Sequence, residues 1–95
     1  MKRTQEISGT YLQGHIRTTR RELTRVFGEP IRYEDSKTTI EWGIVFEGGI
    51  LATIYDWKRY ELGEPEQDEV MVYNIGGLSP EAVSKVKELV EEVTA

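Results

Sequence analysis

A chain of 95 residues, 31% charged and 38% apolar with a formal net charge of −5, has the apolar content for one compact core and too little length for a second domain. The absence of cysteine excludes a disulfide framework, a thiol nucleophile, an iron–sulfur cluster and a zinc-thiolate site. No segment approaches the roughly 18 apolar residues of a membrane helix, and no apolar stretch follows the basic start, so the expectation is one soluble cytoplasmic domain over residues 1–95.

In chain order, Thr10 to Arg17 alternates with the period of a half-buried strand. Leu12 and Ile16 are expected inward, with Tyr11, Gln13, His15 and Arg17 on the other side. Thr19 and Glu22 form a capping box ahead of Leu23, Val26 and Phe27, which predicts a short helix stopped by Gly28 and Pro30. Ile31 to Tyr33 reads as a brief strand and residues 34–37 as a polar turn. Two stronger strands follow, Thr38 to Glu47 and Ile50 to Lys58, separated by Gly48-Gly49, a hairpin signal because glycine accepts positive φ. Glu61 to Glu69 is a polar acidic loop expected to be solvated. Val70 to Ile75 predicts one more strand, ended by Gly76-Gly77. Ser79 and Pro80 then open a helix whose Ala82, Val83, Val86, Leu89, Val90 and Val93 recur at helical spacing. The expected fold class is α+β, an antiparallel sheet of four to five strands with two helices packed on one face, in the order β-α-β-β-β-α.

The hairpin register decides which side chains share a face, since a slip of one residue inverts a strand. A two-residue turn sets Ile40, Trp42, Ile44 and Phe46 beside Leu51, Thr53, Tyr55 and Trp57. A three-residue turn joins them instead with Ile50, Ala52 and Ile54, and it is preferred because the alternative crowds both tryptophans onto one face. The second face then carries Val45, Leu51, Thr53, Tyr55 and Trp57 beside Thr39 and Glu41. That is more apolar surface than two helices cover, and it points to a homodimer or higher homo-oligomer, a ligand-binding face, or both.

Charge is unevenly placed. Up to Tyr33 seven basic residues face three acidic ones, whereas from Glu34 onward five face fourteen. The acidic total argues against duplex nucleic acid as a partner, and no membrane partner is expected. His15 is the one histidine, so neither a catalytic triad nor a transition-metal site can be assembled, and the expected catalytic, metal and cofactor sets are empty. Glu41 and Asp56 lie close across the hairpin, but in the preferred register they point to opposite faces. Arg21 and Arg25 are expected to form a solvated face with Glu22 and Glu29. Arg17 and Arg20, at the strand–helix junction, are better placed to meet a phosphate.

At Gly9-Thr10-Tyr11-Leu12-Gln13-Gly14-His15-Ile16, Phe27-Gly28-Glu29-Pro30, Glu41-Trp42, Ala52-Thr53-Ile54-Tyr55-Asp56-Trp57-Lys58 and Ile75-Gly76-Gly77, the chain resembles a family of small proteins encoded by bacteriophages and by actinobacterial and other bacterial genomes. The family carries no assigned activity. The resemblance implies a shared fold and a phage-type accessory protein in the host cytoplasm, such as an inhibitor of a host enzyme or a binder of defence-signalling nucleotides. Relatives look to have Asp-Gly where this chain has Gly48-Gly49, and an aromatic-His pair where it has Tyr73-Asn74.

Together these readings give a non-enzymatic binding protein. Its ligand would be a nucleotide-like anion, held by Tyr11, Gln13, His15, Arg17, Arg20, Thr53, Tyr55 and Trp57, because aromatic faces stack bases and arginine pairs with phosphate. The alternative is an inhibitor of a host protein that uses the acidic segment from Glu61 to Glu69.

Overall fold

The computed structural model describes residues 1–34, 36–58 and 62–94. Eight elements follow one another: β1 (Lys2–Arg3), β2 (Tyr11–Thr18), α1 (Arg20–Phe27), β3 (Ile31–Arg32), β4 (Ile40–Phe46), β5 (Ile50–Tyr55), β6 (Met71–Gly77) and α2 (Glu81–Thr94). They form one antiparallel sheet in the order β1-β4-β5-β6-β2, with β3 also on β4. The fold is α+β, with six strands where four to five were expected. The additional pairing comes from two-residue strands at the edge, too short to leave a periodic signal in the sequence.

Because β5 pairs β4 along its length, β1 and β3 share the other edge of β4, β1 at Ile44 and Val45 and β3 at Ile40 and Glu41. Consecutive strands β1 and β2 therefore lie at opposite edges of the sheet, and residues 4–10 must cross one of its faces. The helices occupy the other. A Cβ on Gly43 would run into Thr4 O and lie 2.7 Å from Ile7 Cγ2, so the N-terminal segment crosses the outer face as a strap. Gly43, Thr53 and Gly76 align across β4, β5 and β6, and all three are buried. This row of small residues is the trough in which the strap lies. The second face of the sheet is thus partly covered by the chain itself, which sequence periodicity did not reveal.

The hairpin has the three-residue form. Phe46 pairs with Ile50, Ile44 with Ala52 and Trp42 with Ile54, with Gly48 and Gly49 at φ of 85° and 79°. Ile40, Trp42, Ile44, Ala52, Ile54, Tyr73, Ile75, Leu23, Ala82 and Val86, among others, form the core between sheet and helices. Each large side chain there contributes about 1.5–3 kcal/mol through burial. Trp42 and Tyr73 meet edge to face at 6.0 Å, and the Trp42 indole donates to Gly28 O at 2.7 Å. Arg3 reaches the same loop from β1, donating to Phe27 O at 2.5 Å and Glu29 O at 2.6 Å. Three consecutive carbonyls at the end of α1 are satisfied in this way.

Three local expectations change. Gly76 and Gly77 do not follow β6 but are its last two residues, paired with both β5 and β2, and glycine is required there because a Cβ on Gly77 would sit 2.6 Å from Ala82 Cβ and one on Gly76 would sit 2.5 Å from Thr53 Oγ1. The ladder between β2 and β6 shifts register between Leu12 and Gly14, a bulge that inverts the residues before it. Leu12 therefore pairs with Gly76 on the outer face and is 54% exposed, while Tyr11 takes the helix-side register opposite Gly77. The acidic loop is largely exposed, as expected, but it is also docked, with Pro65 buried. Arg20 pairs with Glu64 at 3.0 Å and donates to Pro65 O at 3.1 Å, Arg21 pairs with Asp68 at 2.7 Å, and Arg21 N donates to Gln67 O. Part of the charge asymmetry is consumed by this contact of the basic helix with the acidic loop. Glu61 lies outside the described residues.

Thr19 caps α1 by accepting from Glu22 N at 3.2 Å, as its sequence position implies, and Gly28 closes it at φ 87°. Among the described residues no helix is long and apolar enough to cross a membrane.

Candidate functional site on the outer sheet face

Beyond the trough, ladder parity sets a row of polar and aromatic residues on the outer face. Glu41 of β4 stands opposite Tyr55 of β5, Tyr55 opposite Asn74 of β6, and Asn74 opposite His15 of β2. Two residues further along β6 and β2 come Val72 and Arg17, which alternation sends to the same face, and just past the end of β5 the Trp57 ring lies against that of Tyr55. The row is open: His15, Arg17, Val72 and Trp57 are exposed, and Glu41, Tyr55 and Asn74 are half-buried.

Trp57 is the largest side chain of this surface and is 48% exposed. Its indole meets the Tyr55 ring edge to face at 6.1 Å, and Lys37 Nζ lies 5.8 Å from its centroid. Lys37 arrives on the connection between β3 and β4, and one residue fastens that connection to the end of β5. Asp56 is fully buried; its Oδ1 accepts from Thr39 N at 2.8 Å and Ile40 N at 3.0 Å, and its Oδ2 from Thr39 Oγ1 at 2.5 Å. Thr38 Oγ1 donates to Asp56 O and Lys58 N to Lys37 O, at 3.2 and 2.7 Å. Lys58 is held at φ 57°, a left-handed conformation uncommon for a residue with a Cβ. Asp56 is therefore a buttress between Trp57 and Lys37, and as the register implies it points away from Glu41.

Glu41 has a distinct environment. Tyr33 OH donates to its Oε1 at 2.9 Å. Burial pushes the Glu41 carboxyl above the usual range and nearby Asp56 adds to this, while the Tyr33 bond works against both. Burial, together with the bond and charge of Glu41, raises the Tyr33 phenol to about 12. Tyr55 is raised too, chiefly by burial, against a lowering hydrogen bond with Asn74.

Of the eight residues expected to hold a ligand, the fold gathers His15, Arg17, Tyr55 and Trp57 on one open surface. The other four are placed elsewhere. Tyr11 is 73% exposed, but the bulge turns it to the opposite register. Gln13, the extra residue of that bulge, donates to Gly77 O at 3.1 Å. Thr53 is fully buried in the trough, its hydroxyl without a partner among the described residues. Arg20 is 7% exposed and committed to Glu64 and Pro65 O. Conversely, Lys37, Tyr33 and Asn74 join the site without having been singled out. The ladder register would have revealed Asn74, but nothing in local sequence brings Lys37 onto Trp57.

No three His, Asp or Glu side chains among the described residues converge in a way that would hold a metal ion. Compared with family models, with curated proteins and with solved structures, the chain finds no match in any of the three.

Proposed function

We propose that the chain is a non-enzymatic binding protein whose outer sheet face takes a nucleotide-like anion. The observation that carries this reading is Trp57: a half-exposed indole in edge-to-face contact with Tyr55, with the Lys37 ammonium over one side of its ring and Arg17 and His15 on the same sheet face. A base stacking on such an aromatic gains about 1–3 kcal/mol whatever its identity. The cations at the rim suit a phosphate. The Asp56 buttress orders this corner before a ligand arrives, which lowers the entropy lost on binding. With the phage-type resemblance noted from sequence, a host signalling nucleotide is the ligand class that fits. A homodimer is proposed on the same face, where Leu12 and Val72 are 54% and 51% exposed, and light scattering gives the mass that tests it.

The two tryptophans provide the assay. Trp42 is fully buried and Trp57 half-exposed, so a ligand stacking on the outer face quenches Trp57 emission selectively. Titration with nucleoside monophosphates and cyclic dinucleotides is expected to give saturable quenching that disappears in Trp57→Ala, with calorimetry on the same variant showing that the affinity itself is lost. No quenching at millimolar nucleotide, or quenching that survives in Trp57→Ala, would count against the reading.

A further inference from the structure

We infer that the ring selected at this corner carries two adjacent N–H donors on one edge, as the Watson–Crick edge of guanine does, and that Glu41 is the residue that reads it. This rests on the nucleotide reading above and deepens it.

Three observations lead there. The first is position. Glu41 is directly opposite Tyr55, and the Tyr55 ring meets that of Trp57, just beyond the end of β5, at 6.1 Å. Residues directly opposite each other have Cβ atoms about 4.5–5.5 Å apart. A base lying on the Trp57 indole is thereby placed to extend an edge past Tyr55 toward the Glu41 carboxylate. The second is lone-pair accounting. A carboxylate offers about four acceptor sites. Tyr33 OH occupies one on Oε1, and among the described residues no donor reaches Oε2. The third is charge. Glu41 is half-buried and forms no ion pair among the described residues, whereas Arg20, Arg21 and Arg32 each have a carboxylate partner. The upward push that burial exerts on its carboxyl has the same origin. A half-desolvated acceptor with spare lone pairs, beside a stacking ring, favours a ligand that brings donors.

Guanine brings N1–H and the N2 amino group side by side, a match for the two oxygens of a carboxylate. Adenine presents an N1 lone pair where guanine has N1–H, and that lone pair would face a carboxylate oxygen. A site built around hydrogen bonds rejects an analogue that lacks them far more strongly than an apolar pocket does. The phosphate then lies toward the cations at the rim, so Trp57 supplies sequence-blind stacking and Glu41 the discrimination.

The test is a calorimetric titration of the full chain at pH 7.5 with GMP, IMP and AMP, repeated on Glu41→Gln and Trp57→Ala. GMP is expected to bind about tenfold or more tighter than AMP, with IMP, which keeps N1–H and lacks the amino group, between them. Glu41→Gln, whose amide replaces one acceptor with a donor, is expected to bring GMP and AMP within about threefold of each other. Equal affinity of the wild type for GMP and AMP, with both lost in Trp57→Ala, overturns the role of Glu41 and leaves the nucleotide reading standing. A preference for GMP that persists in Glu41→Gln overturns it too. No binding of any nucleotide overturns both. The wild-type ratio is decisive even where the variant fails to fold.

Discussion

Replacing Asp56 with alanine tests the architecture of the site at its most buried polar point. The two carboxyl oxygens accept from Thr39 N, Ile40 N and Thr39 Oγ1 at 2.8, 3.0 and 2.5 Å, and the residue has no solvent exposure. Hydrogen bonds to a charged group contribute about 1.5–3 kcal/mol each, and stranding their donors adds a desolvation cost. Thr39 is half-buried, so water recovers part of the loss. The net expectation for Asp56→Ala is about 3–5 kcal/mol, a large share of the roughly 5–15 kcal/mol that holds a domain together. Asp56→Asn retains one carbonyl for the two amides, and its amide group can donate to Thr39 Oγ1, so its expected cost is only about 1–2 kcal/mol. Urea denaturation followed by far-UV circular dichroism measures both, and the near-UV signal reports whether Trp57 keeps its fixed environment. A loss below about 1 kcal/mol in Asp56→Ala, or equal losses in the two variants, would refute the reasoning that this carboxylate pins residues 38–40 to the end of β5.

Three further outcomes are expected. Gly43→Ala places a methyl group against Thr4 O and 2.7 Å from Ile7 Cγ2, so it is expected to cost about 1–3 kcal/mol by overpacking and to speed hydrogen exchange selectively in residues 2–10; exchange unchanged there would mean that the strap does not rest on Gly43. Lys58→Gly relieves a left-handed backbone at φ 57° and is expected to be neutral or to stabilise by up to about 1 kcal/mol in thermal melts, whereas a clear loss would show that the Lys58 side chain matters more than its backbone. Glu41 gives a pH signature. Because burial raises its folded pKa above the ordinary 4.5, the folded state binds more protons than the unfolded state between 4.5 and that raised value. The contribution of Glu41 to stability therefore falls as pH rises through this window. Glu41→Gln is expected to flatten that decline, measured by urea midpoints between pH 4 and 8, and identical profiles would contradict the assignment.

Elements with strong local signals were legible in the sequence. The caps of α1, the apolar stripe of α2 and the three-residue hairpin all follow from residue type and spacing, because each is decided within a few residues of chain. Features that depend on distant partners were not. The inversion of Tyr11 and Leu12 comes from a one-residue bulge against β6, and alternation alone cannot show a bulge. The glycines at positions 76 and 77 resemble a strand end until the close approach of Ala82 and Thr53 explains them. Arg20 and the acidic loop look like separate charged surfaces, and only the fold brings Glu64 within 3.0 Å of the guanidinium. At the site, the aromatic pair of Tyr55 and Trp57 and the side chains of His15 and Arg17 were visible as one face. Lys37 was not, because a hydrogen-bonded buttress at Asp56, 17 residues from Thr39, sets its place.

The central claim is that the corner formed by Lys37, Glu41, Tyr55 and Trp57 is where a nucleotide binds. Two-dimensional 1H–15N spectra of the labelled chain, recorded while GMP is added, test it most directly. The account predicts saturable shifts in the Trp57 indole N–H and in the amides of Lys37, Glu41, Tyr55 and Asn74, extending to His15 and Arg17, with the Trp42 indole unmoved. Shifts confined to α2 or the acidic loop, or an unchanged spectrum at millimolar GMP, would contradict it.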